Sequence, residues 1–270
     1  MAPTSVLVSL CKTSNRTFQS DLKRKIIKQY GLVGKEIDYS FSREYFKVKF
    51  DKDGLSDHTY VNYDFTTIEG FAQLLSEGPL PTGLNVTIPY KKEVIPFLDR
   101  ISKEAQAIEA VNTIIWEKDG STTGHNTDHT GFQKALQEAF TNIPRKALIL
   151  GTGGASGAVK YILKKLDCEF TFVSRHPTAS QLSYEALNES LMKEVDLIVN
   201  TTPLGTFPDV EEAPPLPYKW ISDQHMLFDL IYNPSETTFL RLGKNNGAKT
   251  CNGHKMLVYQ AEKSWELWNS

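Results

Sequence analysis

Apolar residues recur along the first half of the chain with two different spacings. Three segments have the short or alternating apolar pattern of β-strands, at residues 30–34, 58–65 and 84–88. Three others have a helical pattern, at residues 40–50, 66–78 and 94–111. Strands that alternate with helices predict a largely parallel, helix-covered sheet.

From about residue 129 the same alternation begins again. The predicted elements are, in order, a helix at 130–140, a strand, glycine turn and helix at 146–166, strands at 169–175, 195–203 and 225–232, and a helix at 253–268. Between the last two strands, residues 208–220 hold four of the 13 prolines and predict a loop. The chain of 270 residues therefore predicts two α/β domains, each able to bury a core of its own.

Charge and cysteine usage narrow the class of function. The 30 lysines and arginines against 32 acids give a net charge of −2, so nucleic acid and anionic membranes are not expected partners. No apolar stretch approaches the roughly 20 residues that cross a bilayer, and residues 6–10 are too short an apolar run for a signal peptide. Three scattered cysteines predict a reducing, cytoplasmic compartment. No metal is expected, because the histidines lack ligand spacing.

A glycine turn stands between a predicted strand and a predicted helix in the second half. Gly151, Gly153, Gly154 and Gly157 allow a tight turn and a close approach to a pyrophosphate at the helix N-terminus. A turn that serves only packing is the alternative. The next strand ends in Ser174 and Arg175, where NAD-binding sites commonly carry a carboxylate. An arginine there favours the 2′-phosphate of NADP, unless it is simply a solvated charge.

Eight separated motifs occur in a characteristic order: YSFS, NVTIPYK, EAVNT, GHNTD, GTGGAS, VNTTPLG, DLIYNP and NGHKMLVYQ. From about Tyr30 to the C-terminus, the chain in this respect resembles the shikimate dehydrogenase family. The resemblance implies an N-terminal α/β substrate domain, a Rossmann-type NADP-binding domain, and a cleft between them. It implies the reversible, metal-free reduction of 3-dehydroshikimate to shikimate by NADPH, in chorismate and aromatic amino-acid biosynthesis, by a monomer or homodimer.

The expected domain limits follow from this resemblance. Residues 29–128 are expected to bind substrate, residues 129–250 to bind NADP, and residues 251–270 to return to the first domain as a helix. Residues 1–28 are an extension without an assigned role.

The resemblance also assigns site residues by position in these motifs. Lys91 and Asp128 are the expected catalytic pair. The expected substrate-binding residues are Ser40, Ser42, Asn85, Thr87, Asn112, Tyr232 and Gln260. The expected cofactor-binding residues are Gly151, Thr152, Gly153, Gly154, Ala155, Ser156, Ser174, Arg175, Thr202 and Gly253. The family's usual NRT appears here as SRH, and a second arginine is missing where Ala179 and Ser180 stand, which weakens the expected preference for NADP.

The residue types suit this chemistry. Asn85 and Thr87 share one side of a strand, and Pro89 is expected to end that strand and turn Lys91 into the cleft. A lysine can donate the proton that a ketone needs and stabilise the developing alkoxide. Asp128 would orient it, and spacing alone does not say which of the two moves the proton. Without the motifs, such a pair would be ordinary surface charge.

Several of the other expected site residues could instead have purely structural roles. Ser40 and Ser42 could hold a carboxylate as neutral donors, or simply cap a helix. Tyr232 could be a core aromatic at a strand end, and Gln260 an ordinary glutamine on a helix surface.

Two other functions stay open at the level of sequence. A quinate/shikimate dehydrogenase would accept NAD or both cofactors, and would differ around Arg175 and in its tolerance of an extra hydroxyl. A non-catalytic nucleotide-sensing protein would need the fold but would have no need of the Lys91–Asp128 pair.

Overall fold

Two six-stranded sheets, each flanked by helices, make up the fold in a computed structural model that describes residues 27–38 and 40–270. The strands are β1 (Lys28–Gly34), β2 (His58–Asp64), β3 (Gly83–Val86), β4 (Arg100–Ile101), β5 (Thr113–Trp116), β6 (Thr122–His125), β7 (Lys146–Leu150), β8 (Glu169–Val173), β9 (Gln181–Leu182), β10 (Leu197–Asn200), β11 (Met226–Asp229) and β12 (Lys249–Cys251). The α-helices are α1 (Phe41–Lys52), α2 (Glu69–Ser76), α3 (Lys103–Ile108), α4 (Asp128–Ala139), α5 (Ser156–Lys165), α6 (Glu189–Glu194), α7 (Thr238–Asn245) and α8 (His254–Trp268). Of the predicted extension, residues 1–26 lie outside the described residues.

The first sheet has the order β2-β1-β3-β5-β6-β4 and is mixed. β1 pairs in parallel with β2 and β3, and β4 with β6, whereas β5 is antiparallel to both of its neighbours. The expectation of a largely parallel sheet is therefore wrong for the β5–β6 hairpin, which the sequence pattern did not predict. β6 reads TTGH and has no apolar alternation, so its buried side depends on threonines and a glycine.

The segment 94–111, predicted as helical turns, is only partly so. Its α-helix is confined to α3, which begins after the cap Ser102, whose hydroxyl accepts a hydrogen bond from Ala105 N at 3.1 Å. The residues before it form a 3₁₀ turn at Ile95–Phe97 and the short strand β4. Pro96 lies inside that turn, and the interior of an α-helix would not tolerate a proline.

The second sheet has the order β12-β11-β10-β7-β8-β9, and all of its neighbouring pairs are parallel. The chain moves outward from β7 to β8 and β9, then crosses to the other side of β7 for β10, β11 and β12. The order thus reverses between β7 and β10, and ligands of doubly wound sheets bind beyond the carboxyl ends of the strands at such a point. The predicted fold class, an α/β substrate domain with a Rossmann-type domain, is confirmed.

Helix α8 packs against both halves of the molecule. Near its start, Met256 joins the core of the second sheet with Phe132 of α4. Near its end, Ala261 and Trp265 pack into the core around β1, and Trp268 Nε1 donates a hydrogen bond to Ile114 O of β5 at 3.1 Å. The last helix therefore ties the second core to the first sheet.

Close packing between α4 and α8 depends on Gly131. A Cβ atom at this position would lie inside contact distance of the backbone oxygen of Met256. We therefore expect Gly131→Ala to lower the free energy of unfolding by about 1–3 kcal/mol because of overpacking. This exceeds the roughly 0.5–1 kcal/mol that alanine gains over glycine within a helix. Urea unfolding measures the change in the free energy of unfolding. Gln137→Ala, on the exposed side of α4, is the control and is expected to change this free energy by less than about 0.5 kcal/mol.

Candidate active site

Lys91 and Asp128 form an ion pair, although 37 residues separate them in the chain. Lys91 Nζ lies 2.7 Å from Asp128 Oδ2, and the two side chains are only 16% and 10% exposed. At this burial the pair is not one of the solvated surface pairs that contribute little. The alternative, that Lys91 and Asp128 are ordinary solvated surface charges, does not fit this geometry.

The turn after β3 carries Lys91, and two buried neighbours anchor it. Tyr90 and Val94 are 2% and 0% exposed and belong to the core of the first sheet. The Tyr90 hydroxyl donates a hydrogen bond to Phe65 O at 2.7 Å. With those two side chains turned into the core, Lys91 is directed away from it. β3 itself ends at Val86, two residues before the predicted end at residue 88, so the expectation that Pro89 ends the strand is wrong.

Asp128 is the first residue of α4, and its second oxygen is held by Asn112. Asn112 Nδ2 donates to Asp128 Oδ1 at 2.8 Å, while Asn112 Oδ1 accepts from Thr127 N at 2.6 Å. Asn112 directly precedes β5, so the unpredicted hairpin places this amide beside α4. Both carboxylate oxygens of Asp128 are thus bound, one by an amide and one by an ammonium.

These residues line one cavity of about 550 Å³ between the two halves of the molecule. The sequence-predicted residues that line it are Ser40, Ser42, Asn85, Thr87, Lys91, Asn112, Asp128, Tyr232 and Gln260. The nine residues predicted for catalysis and substrate binding are therefore all brought together. A volume of this size lies in the usual range for sites that bind small molecules.

Several of these residues contribute from well-defined local positions. Ser40 caps α1 by accepting a hydrogen bond from Arg43 N at 3.4 Å, so the capping role occurs together with a place in the cavity wall. Tyr232 follows β11, and its ring meets the ring of Phe41 edge-on at 5.5 Å between centroids. Gln260 lies on α8, where its Nε2 donates to Leu257 O at 3.0 Å.

A buried polar network behind the cavity includes four residues that the sequence did not identify, namely Tyr60, Thr113, Thr127 and Ser264. Ser264 Oγ lies 2.9 Å from Asn85 Nδ2, 2.8 Å from Thr113 Oγ1 and 3.2 Å from Thr127 Oγ1. Tyr60 donates to Asn85 Oδ1 at 2.9 Å and is hydrogen-bonded to Ser42. Burial raises the pKa of Tyr60, so this hydroxyl stays protonated.

One weak signal in the sequence points to Ser264. It stands four residues after Gln260 and therefore on the same side of α8. The two threonines lie inside the EAVNT and GHNTD motifs, directly after Asn112 and directly before Asp128, whereas the sequence offers no comparable sign for Tyr60.

The carboxyl edge of the second sheet brings the predicted cofactor residues together. Gly151 follows β7 and has φ +93°, a left-handed conformation that favours glycine. A Cβ atom there would come within 2.9 Å of the Thr202 methyl group, which follows β10. Ser174 and the exposed Arg175 follow the neighbouring strand β8. Gly253 N donates to Ile231 O, after β11, at 2.9 Å.

The glycine turn fits a bound phosphate in two respects. No side chain caps the N-terminus of α5, so the first backbone N–H groups of this ten-residue helix lack a side-chain acceptor. At Gly153 and Gly154, an added Cβ atom would meet nothing within 4 Å. Packing therefore does not require these two glycines, which argues against a turn that serves only packing.

Across 27–38 and 40–270, no three His, Cys, Asp or Glu side chains are grouped so that they could hold a metal ion. Within that part of the chain, no helix combines the length and apolarity needed to cross a bilayer.

A family model and sequence relatives both match this chain, and their descriptions agree. A model described as the shikimate dehydrogenase substrate binding domain matches residues 32–114. A shikimate dehydrogenase (NADP(+)) from Methanococcus maripaludis is 36% identical over 265 residues, covering 92% of this chain and 92% of the relative.

Solved structures give the same result. Shikimate 5-dehydrogenase from Thermus thermophilus, in complex with NADP(H) and shikimate, superposes with a TM-score of 0.77 at 31% identity, covering 89% of this chain and 92% of that one. Quinate dehydrogenase from Corynebacterium glutamicum, in complex with NAD, has a TM-score of 0.77 at 25% identity, covering 89% and 93%.

The two kinds of glycine in the turn should respond differently to alanine. Gly153→Ala is expected to leave the free energy of unfolding within about 0.5 kcal/mol of the parent, because the added methyl group has open space. It should nevertheless weaken NADPH binding, because the methyl group would project where a phosphate approaches the backbone. Gly151→Ala, at a positive φ, should lower stability as well. Urea unfolding measures the stability, and NADPH fluorescence titration measures the affinity. Undiminished NADPH affinity in Gly153→Ala would contradict the assignment of the glycine turn to phosphate binding.

Proposed function

The chain belongs to the shikimate dehydrogenase family, and from this premise we propose that it catalyses the reversible reduction of 3-dehydroshikimate to shikimate with NADPH. The observation that carries the proposal is the Lys91–Asp128 pair at 2.7 Å, inside a cavity shared with all the predicted substrate-binding residues. The resemblance stated from the motifs is confirmed by relatives that match about nine-tenths of the chain.

The protein must provide the proton and the electrostatic field for this reaction. NADPH, when bound, supplies the hydride to the carbonyl carbon. Lys91, with its remaining N–H groups free of Asp128, is the donor to the ketone oxygen and stabilises the negative charge that develops there. Asp128 holds the ammonium in place through Oδ2. In the reverse direction the same pair accepts the proton from the alcohol.

Recognition of the ring rests on side chains whose orientation is already fixed. Asn85 Nδ2 has its partners inside the protein, namely Asn112 O at 3.1 Å, Thr113 Oγ1 at 3.2 Å and Ser264 Oγ at 2.9 Å. Its oxygen keeps a lone pair beside Tyr60, so Asn85 is proposed to accept a hydrogen bond from a ring hydroxyl. A ligand that lacks this hydroxyl would leave the second lone pair of Asn85 Oδ1 without a donor, which favours polyol substrates over deoxy analogues.

The remaining substrate contacts are proposed from their place in the cavity wall. Ser40 and Ser42 lie where α1 begins, and their hydroxyls with the start of the helix suit a carboxylate. Thr87, Tyr232 and Gln260 complete the polar lining and are proposed to contact the ring or the carboxylate.

The cofactor residues and domain limits form a second part of the proposal. Residues 29–128 would bind substrate, residues 129–250 would bind NADP, and residues 251–270 would close the substrate side as α8. The turn Gly151–Ser156 would receive the pyrophosphate, and Ser174 with Arg175 the 2′-phosphate. Thr202 and Gly253 are proposed to line the nicotinamide end, since Thr202 follows β10 and Gly253 N donates to the oxygen of Ile231, the residue before Tyr232.

The cysteines of the described residues support a proposed cellular location. Among the described residues Cys168 and Cys251 are free, and burial raises the pKa of each to about 11. Thiols of this kind are compatible with the reducing cytoplasm, where we place the protein. The state of assembly, monomer or homodimer, stays a prediction.

A direct assay tests the reaction and its mechanism. Purified protein mixed with 3-dehydroshikimate should oxidise NADPH, seen as loss of nicotinamide absorbance. Lys91→Ala should lower kcat by about 10²–10⁴-fold, because the proton donor is lost, while NADPH still binds. Lys92→Ala is the matched control, since Lys92 is the exposed neighbour and should leave kcat unchanged. Full activity in Lys91→Ala would remove the mechanism, and binding of NADPH without turnover by the parent would favour a nucleotide-sensing role.

The choice of cofactor depends on Arg175. Arg175→Ala should raise the KM for NADPH several-fold and leave the KM for NADH nearly unchanged, because only NADPH carries the 2′-phosphate. Arg145→Ala is the control, because Arg145 is exposed at the opposite edge of the same sheet. Equal use of NADH and NADPH by the parent, with quinate as well as shikimate, would indicate a quinate/shikimate dehydrogenase instead.

A further inference from the structure

Asp229, the last residue of β11, is fully buried, and the proposed mechanism gives it no task. Its side chain is 0% exposed and lies at the carboxyl edge of the second sheet. A buried carboxylate is costly unless its oxygens are hydrogen-bonded. The partners of this carboxylate therefore show what it holds in place.

Three donors from three different segments converge on Asp229. Oδ1 accepts from Asn200 Nδ2 at 3.0 Å and from Ile231 N at 3.0 Å. Oδ2 accepts from the Thr237 hydroxyl at 2.6 Å. Asn200 ends β10, Ile231 follows β11, and Thr237 caps α7. One side chain thus connects the segment after β10, the segment after β11 and the start of a helix.

Two of these connections reach the proposed ligand sites. Asn200 Oδ1 accepts from both Thr202 N at 3.0 Å and Thr202 Oγ1 at 2.7 Å, so Asp229 fixes the cofactor-side residue through one intervening amide. Ile231 directly precedes Tyr232, which lines the substrate cavity.

We propose that Asp229 is a positioning residue that fixes the Thr202 segment and the Tyr232 segment relative to each other, and thereby sets the affinity for cofactor and substrate together. The inference rests on the proposed function. It differs from the assignments above because Asp229 is fully buried and is not among the residues that line the cavity. Its effect is exerted through Asn200 on one side and through the Ile231 backbone on the other.

The raised pKa of Asp229 supports a role beyond folding. Burial raises its pKa to about 7, although hydrogen bonds from Thr237, Ile231 N and Asn200 lower it. Since this folded-state pKa lies above the usual value, the group's contribution to stability is complete at low pH and is lost as pH rises through about 7. The carboxylate therefore costs stability at neutral pH, and such groups concentrate at functional sites.

Asp229→Asn is the test, because it keeps the size of the side chain and replaces one acceptor oxygen with a donor group. We expect the KM values for NADPH and for 3-dehydroshikimate both to rise about fivefold to tenfold, with a smaller change in kcat per folded enzyme. Thr202→Ala and Tyr232→Phe should each raise only one of the two KM values. The joint rise distinguishes a residue that positions both segments from one that supports a single site.

Asp196→Asn is the matched structural control. The Asp196 carboxylate accepts from Arg145 N at 2.7 Å and Lys146 N at 3.2 Å, at the opposite edge of the same sheet. This variant should lose stability without a change in either KM. KM values within twofold of the parent in Asp229→Asn, or an equal rise in Asp196→Asn, would overturn the inference.

Two further measurements cover the remaining outcomes. If Asp229→Asn does not fold, Asn200→Ala is the substitute. It removes the Asn200 side-chain bonds to Asp229, Leu204 O and Thr202 but keeps the bond from Ile231 N to Asp229, and it should raise the KM for NADPH alone. If the parent does not reduce 3-dehydroshikimate, the proposed function fails, but NADPH titration of the same variants still tests the cofactor half. Unchanged NADPH affinity in both Asp229→Asn and Asn200→Ala would then overturn the inference by itself.

Discussion

The amide of Asn112 fixes the proposed catalytic pair, Lys91 and Asp128, because its two ends face groups of opposite character. Thr127 N can only donate, so it must face Asn112 Oδ1, at 2.6 Å. That leaves the Asn112 NH₂ group for one oxygen of Asp128 and leaves the other oxygen for Lys91. An ion pair largely withdrawn from water is costly unless further hydrogen bonds support it, and this amide supplies one. The pair is therefore oriented before any ligand arrives, and little reorganisation remains for the reaction.

The wall behind the cavity extends the same logic to substrate recognition. Asn112 O only accepts, so the Asn85 NH₂ group must face it, and the Asn85 oxygen must face Tyr60. Ser264 joins this wall to α8, whose first turns pack in the second core and whose last turns pack in the first. A polar network that is satisfied internally is rigid, and it allows one arrangement of donors and acceptors toward the ligand.

What the sequence could predict was the chemistry encoded in local order. The glycine turn and the helix beginning near Ser40 follow from strand–helix punctuation, whereas the grouping of Lys91 with Asp128 follows only from the resemblance to the family. Strand pairing is different, because the register of Asn85 opposite Thr113 depends on a hairpin whose second strand lacks an apolar pattern. Contacts such as Asn85 with Ser264, 179 residues apart, arise only from the folded topology. The early end of β3 has the same origin, since a strand ends where its neighbours stop pairing with it.

The two sides of the cleft differ in how far their polar groups are bonded within the protein. This difference affects which selectivity, for substrate or for cofactor, is easier to change by substitution. The proposed substrate wall bonds most of its polar groups internally, so a change in one member leaves a buried group without its partner. The cofactor edge instead keeps uncapped N–H groups at α5 and open space at Gly153 and Gly154, and its proposed phosphate contact rests on the exposed Arg175. An exposed side chain can be exchanged at small energetic cost, whereas a buried network must change as a unit. On the proposed assignments, a few substitutions would therefore be enough to change the cofactor preference, whereas the buried network would protect the selectivity for the pattern of ring hydroxyls.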